Sequence, residues 1–204
     1  MKTSTAILIL AAGKSSRIGA PKQLLPWGKT TLLGNAIEQA LVIPDAEVFV
    51  VLGAYRQSIQ KEISKYKIEV IINENWDDGI GSSIAKAINE IESSSACRQV
   101  LIILADQPFV DSDYLNKLLN SYKKEMAEIM ATTYKDVAGV PVVFSKKYFH
   151  ELKRLKGDQG AKSLMYRHKS NLTFCSVFSM FEDVDTLESY HELKKIYELK
   201  KYLK

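Results

Sequence analysis

The sequence predicts an α/β fold: a mostly parallel, mixed sheet covered by helices on both faces, a Rossmann-like three-layer α/β/α arrangement. Three observations carry this. Short unbroken runs of branched apolar residues, such as Ala6 to Leu10, Val48 to Leu52 and Val100 to Leu104, have the composition of strands buried on both faces. Between them, apolar residues recur at helical spacing, as in Leu32, Leu33, Ala36, Ile37, Ala40 and Leu41. The two kinds of segment alternate as β-α-β-α-β as far as Ile72, the pattern of a parallel sheet. With 204 residues and no linker, repeat or low-complexity tract, residues 1–204 are expected to form a single domain.

The first strand ends in Leu10-Ala11-Ala12-Gly13, where small residues let the backbone approach another group closely and Gly13 can take a positive φ. Lys14, Ser15, Ser16, Arg17, Gly19, Pro21 and Lys22 follow, so three cations lie within nine residues of a small-residue turn. Backbone amides give directed donors, and Arg and Lys give charge. This combination holds a polyphosphate. The segment is neither GxxxxGK[ST] nor GxGxxG, because no GK[ST] follows and position 15 is serine.

Thr30 or Thr31 is placed to cap the first helix. Pro44-Asp45 marks a turn, Val48 to Leu52 a second strand, Tyr55 to Tyr66 a helix with Ile59 and Ile63 inward, and Ile68 to Ile72 a third strand. Asn73 to Ser83 is loop-rich, with Ser82 or Ser83 able to cap a helix to Ile91. Gln99 to Leu104 is the fourth strand. It ends at Ala105-Asp106-Gln107-Pro108, and a carboxylate at the C-terminal end of a parallel strand stands where α/β proteins place ligand-binding groups. Beside a triphosphate loop, Asp106 is a candidate for a hard cation bridging phosphate oxygens.

Asp111 or Ser112 can cap a helix to Lys124, and Ile129 to Tyr134 reads as a fifth strand. The apolar run Ala138 to Phe144 opens with Gly139 and Pro141, which suggests a special backbone shape. Tyr148 to Leu155 is helical, and Gly157-Asp158-Gln159-Gly160-Ala161 joins one helix end to the next start. Leu172 to Phe178 is a late strand at the sheet edge. Asp185 or Thr186 caps a last helix whose lysines face solvent.

Composition narrows the function. A net charge of +4 with basic residues spread along the chain fits an anionic small substrate better than nucleic acid. The two cysteines, Cys97 and Cys175, have no metal or redox motif around them and no disulfide is expected. No secretory segment and no apolar run of transmembrane length is visible, so a soluble cytoplasmic protein is expected.

The segment Leu10 to Lys22, LAAGKSSRIGAPK, resembles the signature loop of nucleotidyltransferases that join a nucleoside triphosphate to a phosphorylated acceptor. It is most similar to the molybdenum cofactor cytidylyltransferase type, within the nucleotide-diphospho-sugar transferase-like folds. Related guanylyltransferases typically read LAGG with Asp before the Lys; Ala12 and Pro21 stand there in this chain. Ile18 replaces a common Met, Ala105 a common Cys, and Leu187 and Ser189 replace Pro and an acid late in the chain. The resemblance runs from Ile7 to about Tyr190.

It implies that Leu10, Ala11, Ala12, Gly13, Lys14, Ser15, Arg17 and Lys22 bind the phosphates of CTP, and that Gly79, Gly81, Ser82 and Ser83 recognise base and ribose. Gln107, Pro108, Gly139, Pro141, Gly157, Asp158, Gly160 and Ala161 would line the acceptor half of the cleft. Asp106 and Asp185 would hold Mg2+, or Mn2+, with Arg17, Lys22 and Asp106 as the catalytic set. A phosphate oxygen of the acceptor would attack the α-phosphorus without a general base, in keeping with the absence of His150, His168 and His191 from the motifs. The product would be a cytosine dinucleotide of molybdopterin, with transient contact to a molybdenum hydroxylase or its chaperone and no membrane or nucleic-acid partner. Alternatives are a GTP-using enzyme, one acting on a sugar phosphate or methylerythritol phosphate, or a non-catalytic nucleotide- or cofactor-binding protein serving such a hydroxylase, for instance in purine catabolism.

Overall fold

The computed structural model describes residues 5–134, 137–177 and 181–202. Its strands are β1 (Thr5–Leu10), β2 (Pro26–Trp27), β3 (Thr30–Thr31), β4 (Ala46–Leu52), β5 (Glu69–Ile72), β6 (Gln99–Leu104), β7 (Ile129–Tyr134), β8 (Val137–Ser145) and β9 (Leu172–Ser176). Its α-helices are α1 (Leu32–Leu41), α2 (Arg56–Ile63), α3 (Ile80–Ser94), α4 (Ser112–Lys124), α5 (Phe149–Leu152), α6 (Ala161–Arg167) and α7 (Leu187–Tyr202).

Seven strands form one sheet in the order β5-β4-β1-β6-β8-β7-β9, and β2 and β3 form a small separate hairpin. β1 pairs in parallel with β4 and β6, and β4 with β5. β8 runs antiparallel between β6 and β7, and β9 lies parallel to β7 at the edge. Ile7 stands opposite Val48 and Leu101 in that register. These residues face one layer, packing with Ile9, Val50 and Ile103 against α1, α2 and α4. Ala6, Leu8, Phe49, Val51, Val100 and Ile102 face the other, against α3, α5 and α6. A side-chain period of two on a sheet covered on both faces gives continuous apolar runs rather than alternation. Each fully buried aliphatic side chain contributes about 1.5–3 kcal/mol.

A third cluster joins Trp27, Leu32, Val184, Tyr190 and Leu193. It fastens α7 and the segment before it onto the β2–β3 hairpin, close to the first loop. The end of that segment is capped reciprocally. Ser189 N donates to Thr186 Oγ1 and Thr186 N donates to Ser189 Oγ, both at 3.1 Å.

Several local expectations change. Thr31 and Asp111 do cap α1 and α4, accepting from Gly34 N and Tyr114 N. α3, however, begins at Ile80 rather than Ser83, with Gly79 in the cap position and no side-chain cap bond. α2 is shorter than Tyr55 to Tyr66, since Tyr55 takes φ 56° and breaks the helix before Arg56. The turn after β1 is made not by a left-handed Gly13 but by Ser15 (φ 56°) and Gly19 (φ 74°). Within Tyr148 to Leu155 the helix is only the single turn of α5, entered from a 3-10 turn at Lys146–Tyr148. β9 ends at Ser176; Phe178, its expected end, lies outside the described residues. Cys97 and Cys175 are both buried free thiols. Among the described residues no helix is long and apolar enough to cross a membrane.

Candidate active site

The chain runs outward from β1 to β4 and β5, then returns to the other side of β1 as β6. The carboxyl ends of β1 and β6 are therefore a topological switch point, where open α/β sheets bind ligands. Two adjoining clefts open there. The first, about 360 Å³, is lined by residues 10–14, Lys22, Gln23, Trp76, Asp77, Gly79, Ile80, Ser83 and residues 104–106. The second, about 350 Å³, shares Leu10, Ile80 and Leu104 and continues past Gln107, Gly139, Gly160, Ala161 and Asp183. The floor of both is the end of the two central strands.

The first loop is held from within. Gln23 is buried, and its Nε2 donates to Ala11 O and Gly13 O, both at 2.9 Å. Ser15 Oγ accepts from Lys22 N at 3.3 Å. Ala11 N–H is committed to Val51 O at 3.1 Å, so the row of amides facing the cleft starts one residue later. Among the described residues the N–H groups of Ala12, Gly13 and Lys14 have no protein partner. Sequence reasoning missed Gln23, because a glutamine beside a lysine in a loop has no signature of a staple.

The charged groups converge across the chain. Lys22 Nζ donates to Asp106 Oδ2, to Val184 O at 2.9 Å and to Asp185 Oδ1 at 3.4 Å. Arg17, mostly exposed, pairs with Asp185 at 3.1 Å. Val184 N donates to Asp106 O at 2.9 Å, which registers the late segment on the end of β6. Asp106 Oδ1 is buried and, among the described residues, has no hydrogen-bond partner. Asp183, also missed from sequence, accepts from Gln107 Nε2 at 2.9 Å. It is open to the cleft but enclosed by protein on its other sides. That enclosure first, and then the charge of Asp106, push its carboxyl above the ordinary value.

The other expected residues divide. Gly79 and Ser83 line the first cleft. Gly81 N–H instead donates to Gly157 O at 2.9 Å. Ser82 Oγ lies 2.8 Å from the carbonyls of Asn75 and Gly79, so both turn toward protein. Gly157 and Asp158 back this loop and line neither cleft: a Cβ on Gly79 would stand 2.4 Å from Gly157 O and 3.0 Å from Asp158 N. Pro141 is buried in β8 after a cis bond from Val140. Pro108 turns away, its carbonyl accepting from Asn35 Nδ2 at 3.1 Å. No histidine lines either cleft; His168 pairs with Glu151 at 2.9 Å.

Asp106 and Asp185 with Val184 O offer oxygen only, the donor set of Mg2+ and related hard cations. Among the described residues no cluster of three or more His, Cys, Asp or Glu side chains is arranged to hold a metal alone. A cation here would need oxygens from a ligand, as Mg2+ on a nucleotide has.

The sequence profile of the MobA-like NTP transferase domain matches residues 7–172. The chain belongs to that family. By that family it is a nucleotidyltransferase. A relative named nicotine blue oxidoreductase, from Paenarthrobacter nicotinovorans, is 30% identical over 91% of this chain and 94% of its own length. The purine catabolism protein PucB of Bacillus subtilis (strain 168) is 28% identical over 92% and 95%. The crystal structure of Rv0371c from Mycobacterium tuberculosis H37Rv superposes with a TM-score of 0.84, at 28% identity, covering 96% of this chain and 99% of that one. A manganese complex of Rv0371c is similar at a TM-score of 0.80 and 28% identity, over 95% of this chain and 99% of that one.

Proposed function

We propose that the protein transfers CMP from CTP to the terminal phosphate of a molybdopterin-type cofactor, releasing pyrophosphate. The observation that carries this is the two-part cleft at the switch point. One half has the amides of residues 12–14, without a partner among the described residues, and the cations Lys14 and Lys22; the other adjoins it past Leu10, Ile80 and Leu104. A donor nucleotide fills the first and an acceptor the second, with the α-phosphorus at their junction beside Asp106. An acceptor phosphate oxygen bonds to the α-phosphorus. The bond from that phosphorus to the bridging oxygen breaks, and its electron pair leaves with pyrophosphate. The acceptor is already anionic near neutral pH, so no residue needs to take a proton.

Catalysis is then positioning and charge neutralisation. The amides of residues 12–14 hold phosphate oxygens, steadied by Ser15 and Gln23. Arg17 and Lys22 offset charge on the α-phosphate and the departing pyrophosphate. Asp106 and Asp185 would hold Mg2+ or Mn2+, and Asp106 Oδ1, without a hydrogen-bond partner among the described residues, leaves that carboxylate able to turn toward a cation. When bound, the cation would neutralise phosphate charge as a Lewis acid. The manganese complex of the mycobacterial relative supports this.

Ala12 in the loop and Gly79 and Ser83 above it favour cytosine as the base. Gln107, Gly139, Gly160 and Ala161 favour a bulky acceptor in the second half. On this reading residues 1–204 act as one catalytic unit in the cytoplasm and hand the product to a molybdenum hydroxylase; the name of PucB supports a setting in purine catabolism.

The test is pyrophosphate release from each of the four nucleoside triphosphates with Mg2+ and molybdenum cofactor. CTP should exceed GTP by at least about 10²-fold in kcat/KM, because a pocket built for one hydrogen-bonding edge leaves groups unpaired with the other. Equal use of GTP would move the protein to guanylyl transfer, and faster turnover of a sugar phosphate would replace the acceptor. Because one relative bears an oxidoreductase name, consumption of a reduced nicotinamide dinucleotide is measured in parallel and should be absent.

A further inference from the structure

The Lys22 ammonium stands among three oxygens: Asp106 Oδ2, the Val184 carbonyl at 2.9 Å and Asp185 Oδ1 at 3.4 Å. An ammonium has three donors, and here each has an oxygen. The position is enclosed, since the side chains of Lys22 and Asp106 are 18% and 17% exposed. Two carboxylates and a carbonyl are also the oxygens a hard divalent cation selects. They are registered without help from Lys22. The Val184 N–H bond to Asp106 O fixes the two segments together, and the Val184 side chain is fully buried in the Trp27 cluster. Lys22 leaves one carboxylate oxygen, the buried Asp106 Oδ1, without a partner among the described residues.

We propose that the Lys22 ammonium is the resident cation of the metal site, that the Val184 carbonyl is the site's third oxygen, and that Lys22 and a divalent cation exclude one another there. This rests on the reading of Asp106 and Asp185 as metal ligands. An ammonium and a dication cannot share these oxygens at contact distance, so one must leave as the other enters. Lys22 also lines the nucleotide half of the cleft. Once displaced it has somewhere to go: its charge moves onto the phosphates of the incoming nucleotide. Together with Arg17, which pairs with Asp185, the internal cation balances the two carboxylates in the nucleotide-free protein, and it makes metal entry depend on a ligand that receives Lys22. Linkage then requires metal and nucleotide to tighten one another.

The inference has a sign that a lysine reserved for phosphate alone would not give. Removing the ammonium should tighten metal binding to the nucleotide-free protein. Free Mn2+ is measured by electron paramagnetic resonance during titration of wild type, Lys22→Met, Asp106→Asn and the double variant, without nucleotide. Lys22→Met should bind Mn2+ at least about 10-fold more tightly than wild type, as expected when a competing cation is removed. The double variant should lose that gain. Binding by Lys22→Met no tighter than wild type would overturn the proposal. Lys22→Gln, neutral and polar, decides it if the methionine variant does not fold.

A second arm separates this from the parent reading. If Mn2+ binding in the presence of CTP is unchanged by Asp106→Asn, the metal reading itself fails. If it is lost in Asp106→Asn while Lys22→Met shows no gain, only the resident-cation proposal fails. In protein labelled with 13C at the valine carbonyl carbons, Mn2+ bound to Lys22→Met should show a 13C hyperfine coupling. Its absence would remove Val184 from the site.

Discussion

Asp106 joins three roles at one position. Its backbone carbonyl registers Val184, one carboxylate oxygen meets Lys22, and the other is buried without a partner among the described residues. The sequence made Asp106 and Lys22 legible singly, one at a strand end and one in a phosphate loop. It did not show that they touch, because a contact across 84 positions leaves no local pattern. Asp183 and Gln23 were illegible for a related reason, since their importance lies in partners that only the fold supplies. Lys22→Ala should lower kcat/KM by at least about 10²-fold, a loss of a few kcal/mol of transition-state stabilisation. Arg17→Ala should lower turnover in the same assay yet hardly change the urea midpoint, because an exposed ion pair contributes only about 0–1 kcal/mol. A large loss of stability in Arg17→Ala would mean that its pair with Asp185 is structural.

The loop before α3 is where local reading and structure part. Ser82 and Ser83 resembled a helix cap, and they have the chemistry for it. The helix starts earlier because the segment around Gly157 packs against the chain at Gly79 and Gly81, and glycine alone fits. A Cβ on Gly79 would lie 2.4 Å from Gly157 backbone, and φ there is +97°. A Cβ on Gly81 would lie 2.7 Å from Lys156 N. Gly79→Ala should therefore lower the unfolding free energy by about 1–3 kcal/mol in urea; an unchanged midpoint would show that the two loops are not docked.

A second tie among elements titrates. Glu128, just before β7, receives hydrogen bonds from Lys147 and Tyr148 beyond β8 and from Asn171 before β9. The Lys147 bond first, and then that of Tyr148, hold its carboxyl below the usual range. A depressed folded value stabilises above the unfolded value and is lost as pH falls through the folded one. The Tm gap between wild type and Glu128→Gln should be full near about pH 6 and vanish below the carboxylate range. A gap independent of pH would assign the effect to packing.

At the scale of the whole molecule, the alternation of strands and helices was enough to give the central parallel sheet, and the apolar runs gave its strands almost to the residue. The antiparallel insertion of β8 was not legible, since pairing direction leaves no mark in a run buried on both faces. That insertion matters. It sets β8 beside β6, so that the clefts lined by Asp106 and by Gly139 adjoin, and on the proposed reading donor and acceptor would meet at their junction. The central claim is that one chain holds both substrates across this junction and moves a nucleotidyl group between them. CTP labelled at the α-phosphorus, incubated with Mg2+ and molybdenum cofactor, tests it directly. Label should pass into a dinucleotide product in step with pyrophosphate release, and Asp106→Asn should abolish most of the transfer while CTP binding in the absence of Mg2+ persists. Label that stays in CTP, or that moves equally well with Asp106→Asn, would contradict the account.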